Sequence, residues 1–177
     1  MALGWHRTAM ETPEAEGTPR KAPLRTVPAR IRDKGATTGL PVPRFVALRA
    51  DKVNMRVGPG LRYPIKWVYL RRNLPVEVRR EFYAWRFVRD SDGVEGWMHE
   101  ATLTGRRCFV VTGKQRALRR EPTLGAAVVA RLDVGVIGDI RHCSKGAAWC
   151  RVAVDGYDGW LRRQSFWGTL PGEAVGH

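Results

Sequence analysis

Side chains able to do nucleophilic or metal chemistry are few in these 177 residues: Cys108, Cys143 and Cys150, with His6, His99, His142 and His177. A covalent enzyme needs a nucleophile, a base beside it and a group that orients the base. Cys108 with His99 is the pairing on offer, but a free Cys buried in a strand accounts for Cys108 more simply. Cys143 and Cys150 flank a hairpin tip, 144–149, that contains Gly146. On neighbouring strands their sulfurs would face each other at the spacing a disulfide demands. A bridge across so short a loop contributes about 2–3 kcal/mol on the chain-entropy argument. Zinc held by His142, Cys143 and Cys150 competes with that reading, weakened by adjacent ligands and a missing fourth. No cofactor, no metal and no catalytic residue is expected, and a disulfide implies an oxidising compartment.

Charge points to partners of opposite sign. Thirty-one Lys and Arg against 17 Asp and Glu leave +14 at pH 7. Such a balance attracts nucleic acid, acidic lipid headgroups or an anionic cell wall, without choosing among them. The excess is spread: 8 basic and 4 acidic residues in 1–44, 11 and 7 in 45–105, 12 and 6 in 106–177. Blocks of five or six like charges, the mark of nucleic-acid tails, are missing, so the Arg pairs at 71–72, 79–80, 119–120 and 162–163 read as solvated strand ends or loops. No window approaches the ~18 apolar residues of a membrane helix. The first residues lack the apolar core of a secretory signal, and Glu11, Glu14 and Glu16 argue against a mitochondrial-type leader.

The elements that must position these residues are short. Up to residue 44 the chain is rich in Pro, Ala, Thr, Gly and Arg, and Pro13, Pro19, Pro23, Pro28, Pro41 and Pro43 break every potential helix. A disordered tail or linker over 1–44 is expected. From Phe45 the texture becomes apolar runs of four to eight residues punctuated by Gly, Pro, Asn and Asp, an all-β pattern. Strands are expected at 45–48, 53–57, 65–70, 75–80, 85–89 and 96–99, with a reversal at 90–93. Within 53–57, alternation places Val53, Met55 and Val57 on one face and Asn54 and Arg56 on the other.

The same order then recurs. Met55-Arg56 answers to Leu118-Arg119 and Pro59 to Pro122, each 63 residues on. Leu70, Asn73 and Val78 answer to Leu132, Gly135 and Ile140 at 62, Trp85 and Val88 to Trp149 and Val152 at 64, and Gly96-Trp97 to Gly159-Trp160 at 63. Internal repetition fixes architecture before any fold is guessed. The expectation is two small β-barrels, 45–105 and 106–170, with a C-terminal tail at 171–177. Units of about 60 residues lie near the lower limit for a single core, so packing between them would help both. Gly58 and Gly60 would supply positive φ around Pro59, and Gly96 and Gly159 a bulge or a close approach of backbone.

The run Val53-Asn54-Met55-Arg56-Val57-Gly58-Pro59-Gly60, with Leu74-Pro75-Val76-Glu77-Val78 after it, resembles the opening half of a bacterial SH3 (Src-homology-3-like) domain. Trp85-Arg86-Phe87-Val88 and Gly93-Val94-Glu95-Gly96-Trp97-Met98 resemble its closing strands. The second unit keeps Arg119, Pro122, Trp149, Val152, Gly156, Gly159 and Trp160, but has Glu121 and Thr123 where the first has its two glycines. Its ending resembles two-unit proteobacterial SH3 proteins that are usually exported.

That resemblance implies an all-β fold of two tandem SH3-like barrels and a non-catalytic binding role in the cell envelope, since two barrels consume the ordered length. It places Tyr63, Trp67, Tyr69, Trp85 and Trp97 along an exposed groove, where aromatic walls bind flat or kinked peptide and sugar segments. Arg56, with Arg62, Arg71 and Arg86 nearby, would pair with carboxylates of a wall peptide. The implied partner is a cell-wall polymer or peptide, peptidoglycan above all, or an envelope protein, and the implied compartment is periplasmic or secreted, with the start misplaced. A basic barrel that stacks on single-stranded nucleic acid is the alternative, a purely structural interaction module is another, and the cytoplasm is the alternative compartment.

Overall fold

Antiparallel strands and two single 3-10 turns account for the regular structure of residues 33–176, which are the residues described by this computed structural model; residues 1–32 of the tail expected over 1–44, and His177, lie outside them. A two-stranded hairpin, β1 (Asp33–Lys34) and β2 (Pro41–Val42), comes first. The first barrel follows with β3 (Arg44–Leu48), β4 (Val53–Arg56), β5 (Ile65–Tyr69), β6 (Pro75–Phe82), β7 (Trp85–Arg89), β8 (Glu95–His99) and β9 (Leu103–Thr104). The second repeats it with β10 (Cys108–Val111), β11 (Arg116–Arg119), β12 (Val128–Leu132), β13 (Ile137–His142), β14 (Trp149–Val154), β15 (Tyr157–Arg162) and β16 (Phe166–Trp167).

The two sheets have one topology. Their strand orders are β5-β4-β8-β7-β6-β3-β9 and β12-β11-β15-β14-β13-β10-β16, so every strand has a counterpart seven elements on. Each barrel encloses its own core, led by Met55, Val78, Val88 and Met98 in the first and by Phe109, Leu118, Val152 and Leu161 in the second. Alternation holds in β4, where Val53 and Met55 point inward, but a bulge at Met55/Arg56 ends the strand and leaves Val57 exposed.

Pairing register refines the repeat. Val53 faces Tyr69, and Arg116, its counterpart, faces Leu132. Leu132 therefore answers to Tyr69, which is buried, and not to Leu70, which is exposed. Asn73 and Gly135 do correspond, and both adopt positive φ, 62° and 85°, in the left-handed region that Asn and Gly tolerate best.

Both flanks of the barrel pair fold where tails were expected. Residues 33–44 turn back because Glu81, buried in β6, gathers them: its carboxylate accepts the Thr37 and Thr38 N–H groups at 3.0 and 2.8 Å, the Thr38 hydroxyl at 2.7 Å and Arg44 Nη2 at 2.6 Å. Pro41 and Pro43 exclude a helix there but not an edge hairpin. At the other end, Val175 is buried and exchanges both backbone hydrogen bonds with Cys143, at 2.8 and 2.9 Å. Arg107 also holds the Glu173 carboxylate through two bonds of 2.9 Å.

The barrels touch along an aromatic seam. Phe45 of β3 meets Trp167 of β16 edge-on, with centroids 5.1 Å apart, and the Arg89 guanidinium lies 5.7 Å from the Trp167 ring. Such contacts contribute about 0.5–1.5 kcal/mol each beyond the area they bury.

Candidate binding surfaces

Strand pairing decides which side chains share the outer face of the first barrel. Phe87 lies opposite Trp97 and Trp97 opposite Arg56, while Arg80 lies opposite Phe87. These four form a cross-strand row. The Arg80 guanidinium lies 4.3 Å from the Phe87 centroid and 5.9 Å from that of Trp97, and the two rings are 5.3 Å apart. Beside it runs a second row, Phe82, Trp85 and His99, with the Trp85 and His99 rings edge-on at 5.2 Å. Neither Arg80, read from the sequence as half of a solvated Arg pair, nor Phe87, read only as part of a closing strand, was among the expected binding residues. Phe87 was signalled by its two-residue spacing from Trp85, whereas Arg80 was hidden by the bulge at Arg79, which reverses the inside–outside parity along β6.

Trp85 and Arg86 settle which face of β7 is buried. Arg86 shares the inner face with Val88, and its guanidinium closes the end of the core, donating to the Tyr83 carbonyl at 2.6 Å and the Trp85 carbonyl at 3.1 Å and pairing with Glu81 and Glu100. Trp85 is on the outer face yet only 9% exposed, so it supports the row more than it offers surface.

Arg56 has a structural task. Its Nη1 donates to the carbonyls of Leu61 and Tyr63 at 3.1 and 2.7 Å, holding the loop after β4. Tyr63 is half-buried in that loop, and the Arg62 guanidinium lies 5.3 Å from its ring. The turn glycines serve this ring. Neither Gly58 nor Gly60 has positive φ; a Cβ on Gly58 would stand 2.5 Å from Tyr63 Cδ1, and one on Gly60 3.3 Å from Cδ2. At Gly58 glycine is required for space and not for φ, whereas at Gly60 a methyl would only crowd the ring. In the second barrel the place of Tyr63 is taken by Ala126, whose carbonyl accepts Arg119 Nη1 at 2.7 Å. With no ring to accommodate, Glu121 and Thr123 stand where the glycines were. Gly96 and Gly159 are close-approach positions: a Cβ would lie 2.9 Å from the Arg56 carbonyl oxygen and 2.7 Å from that of Arg119.

Trp67 and Tyr69 belong elsewhere. They line a cleft of about 710 Å³ between the barrels, together with Leu70, Asp90, Val111 and Val134. Trp67 is 54% exposed, whereas Tyr69 is buried and its hydroxyl donates to Asp90 Oδ2 at 2.7 Å. Burial, and then the Asp90 carboxylate, push the Tyr69 phenol far above its ordinary value. The five aromatics thus divide between two surfaces: Tyr63, Trp85 and Trp97 on or beside the outer face, Trp67 and Tyr69 in the cleft.

The thiol candidates resolve separately. Cys108 is buried, with Sγ 3.7 Å from Asp139 Oδ1, and burial followed by Asp139 pushes its thiol up to about 12, a value that disfavours the nucleophilic thiolate. His99 accepts the Ala101 N–H at its Nδ1, 3.2 Å away. Cys143 and Cys150 form a disulfide with Cα atoms 4.5 Å apart, which removes them as zinc ligands. Among the described residues no cluster of three or more His, Cys, Asp or Glu is arranged to hold a metal, and no helix is long and apolar enough to cross a membrane.

Two seven-stranded sheets of one topology, the first with an aromatic and guanidinium outer face, define a tandem of small β-barrels. The bacterial SH3 domain family matches residues 49–105 and again 113–168, and the chain belongs to that family. No curated protein matches the sequence. Among solved structures, NlpC1 from Trichomonas vaginalis is similar at 13% identity and a TM-score of 0.34, over 77% of this chain and 49% of that one. NlpC2 from the same organism is similar at 12% and 0.33, over 72% and 48%. The chain thus spans about half the length of each.

Proposed function

We propose that this protein binds a cell-wall polymer or its peptide without turning it over, and that the outer face of the first barrel makes the contact. The observation that carries this reading is the row Arg80, Phe87, Trp97, in which a cation is already stacked on two adjoining rings. Such a surface can bury the apolar side of a sugar or kinked peptide on the rings while its guanidinium meets a carboxylate. Membership of the bacterial SH3 family and the net charge of +14 support an anionic wall partner. The Cys143–Cys150 disulfide supports a periplasmic or secreted location.

Sedimentation with purified sacculi at physiological salt tests this. The wild-type chain is expected in the pellet and Trp97→Ala in the supernatant; a wild-type chain that stays soluble overturns the reading.

The same row suits a second occupant, since an Arg over paired rings is also how bases stack in single-strand binders. An affinity for oligonucleotides that falls steeply with salt, in a chain that ignores sacculi, would favour it.

A further inference from the structure

The cleft between the barrels is built from unlike walls. On one side stand Trp67 and Leu70, both exposed, and on the other Val111 and Val134. Its volume, about 710 Å³, lies in the range of small-molecule and peptide-end sites. The polar groups lining it include Asp90 on β7's trailing turn, exposed Asp92, and Arg71, whose Nη1 rests against Gly135.

Asp90 is the anomaly. It is 5% exposed, and its carboxylate is held by neutral donors: the Asp92 and Val94 N–H groups at 3.0 and 2.8 Å and the Tyr69 hydroxyl at 2.7 Å. Among the described residues it has no ion-pair partner, whereas buried Glu81 has Arg44 and Arg86. A buried charge without a counter-charge is costly. The fold does not require it, because Leu132 and Val154 occupy the places of Tyr69 and Asp90 in the second barrel and pack in its core. In a chain of net charge +14 the first barrel therefore keeps a buried carboxylate where its twin keeps a methyl-bearing side chain.

We propose that this cleft binds a primary ammonium group carried on a short apolar chain, such as a free amino end of a peptide, with Asp90 and Asp92 supplying the counter-charge and Trp67 the apolar and cation–π wall. Arg71, which also lines the cleft, disfavours a doubly cationic ligand. This site is separate from the outer face and stands or falls without it.

The test titrates the 15N-labelled full chain with L-leucinamide and, as the neutral control, N-acetyl-L-leucinamide. The expected result is saturable movement of the Trp67, Asp92 and Val111 amide peaks by leucinamide, with Kd on the order of 1 mM as befits a fragment. The acetylated probe should bind at least about tenfold more weakly, as the loss of one partly desolvated ion pair implies. Asp90→Asn keeps both turn hydrogen bonds at Oδ1 and should weaken leucinamide about tenfold; Trp67→Ala, at an exposed position, should do the same. Trp97→Ala should leave the affinity unchanged, which separates this site from the wall-binding face. Equal shifts from both probes, no saturable shift at tens of millimolar, or undiminished binding by Trp67→Ala would overturn the proposal.

Discussion

Glu81 and Cys143 occupy the same position in the two barrels. Each lies three residues past the core aliphatic that pairs across the hairpin, Val78 with Val88 and Ile140 with Val152, and one-residue bulges follow both. Glu81 faces Arg86 across its hairpin, and Cys143 is bonded to Cys150 across the other. An ion pair in the first barrel thus stands where a covalent bridge stands in the second. Each also fastens a flank of the chain, the hairpin at 33–42 by the Glu81 carboxylate and Val175 by the Cys143 backbone.

Glu81 makes the first barrel sensitive to acid. Burial alone would raise its carboxyl, but hydrogen bonds from Thr38, Arg44 and Thr37 outweigh that and hold it at about 2, against an ordinary 4.5. A depressed folded-state value means stability that is fully present above about pH 4.5 and lost as pH falls towards 2, on the order of 3 kcal/mol. Urea midpoints from pH 6 to pH 2.5 should fall by that equivalent in the wild type. They should change far less for Glu81→Gln, which should be destabilised by about 3–5 kcal/mol at pH 7 because it removes the carboxylate shared by Arg44, Thr37 and Thr38.

In the second barrel the clasp responds to reductant instead. Cys143→Ser with Cys150→Ser should cost about 2–3 kcal/mol in denaturant unfolding. Dithiothreitol should lower the wild-type midpoint to a similar extent and leave that of the double variant unchanged.

Gly58 and Tyr63 should behave as one unit. Gly58→Ala places a methyl inside the Tyr63 ring envelope and should destabilise by about 1–3 kcal/mol as an overpacking change. In a Tyr63→Ala background the same change should cost under about 0.5 kcal/mol, giving a coupling energy that a double-mutant cycle reads directly. At the corresponding second-barrel position, Glu121→Ala should be close to neutral.

These pairs explain what the sequence could and could not disclose. Strand positions and the tandem repeat were legible because alternation and turn residues are local, and Gly96 and Gly159 announced their close approaches by recurring before Trp97 and Trp160. The reason for Gly58 was not legible, since φ and space both select glycine and only the position of the Tyr63 ring separates them. Proline content placed residues 33–44 in a tail; what folds them is Glu81, 44 residues from Thr37 and 37 from Arg44, which no window reading reaches. The grouping of Trp67 and Tyr69 away from Trp97 likewise depends on the second barrel standing beside β5. Composition supplies the rings and the register distributes them.

Asp90 and Glu81 are both buried carboxylates, yet they should respond oppositely to neutralisation. Asp90→Asn removes a charge that has no ion-pair partner among the described residues and retains its turn bonds. Its thermal midpoint should equal or exceed that of the wild type. The midpoint of Glu81→Gln should drop.

Peak mapping with soluble peptidoglycan fragments tests the central claim most directly. On adding them to the labelled full chain at physiological salt, the account expects saturable shifts of the Arg80, Phe87 and Trp97 amides, fragments recovered unchanged, and no comparable shifts in Trp97→Ala. Shifts absent from that face, or fragments cleaved during the titration, would contradict it.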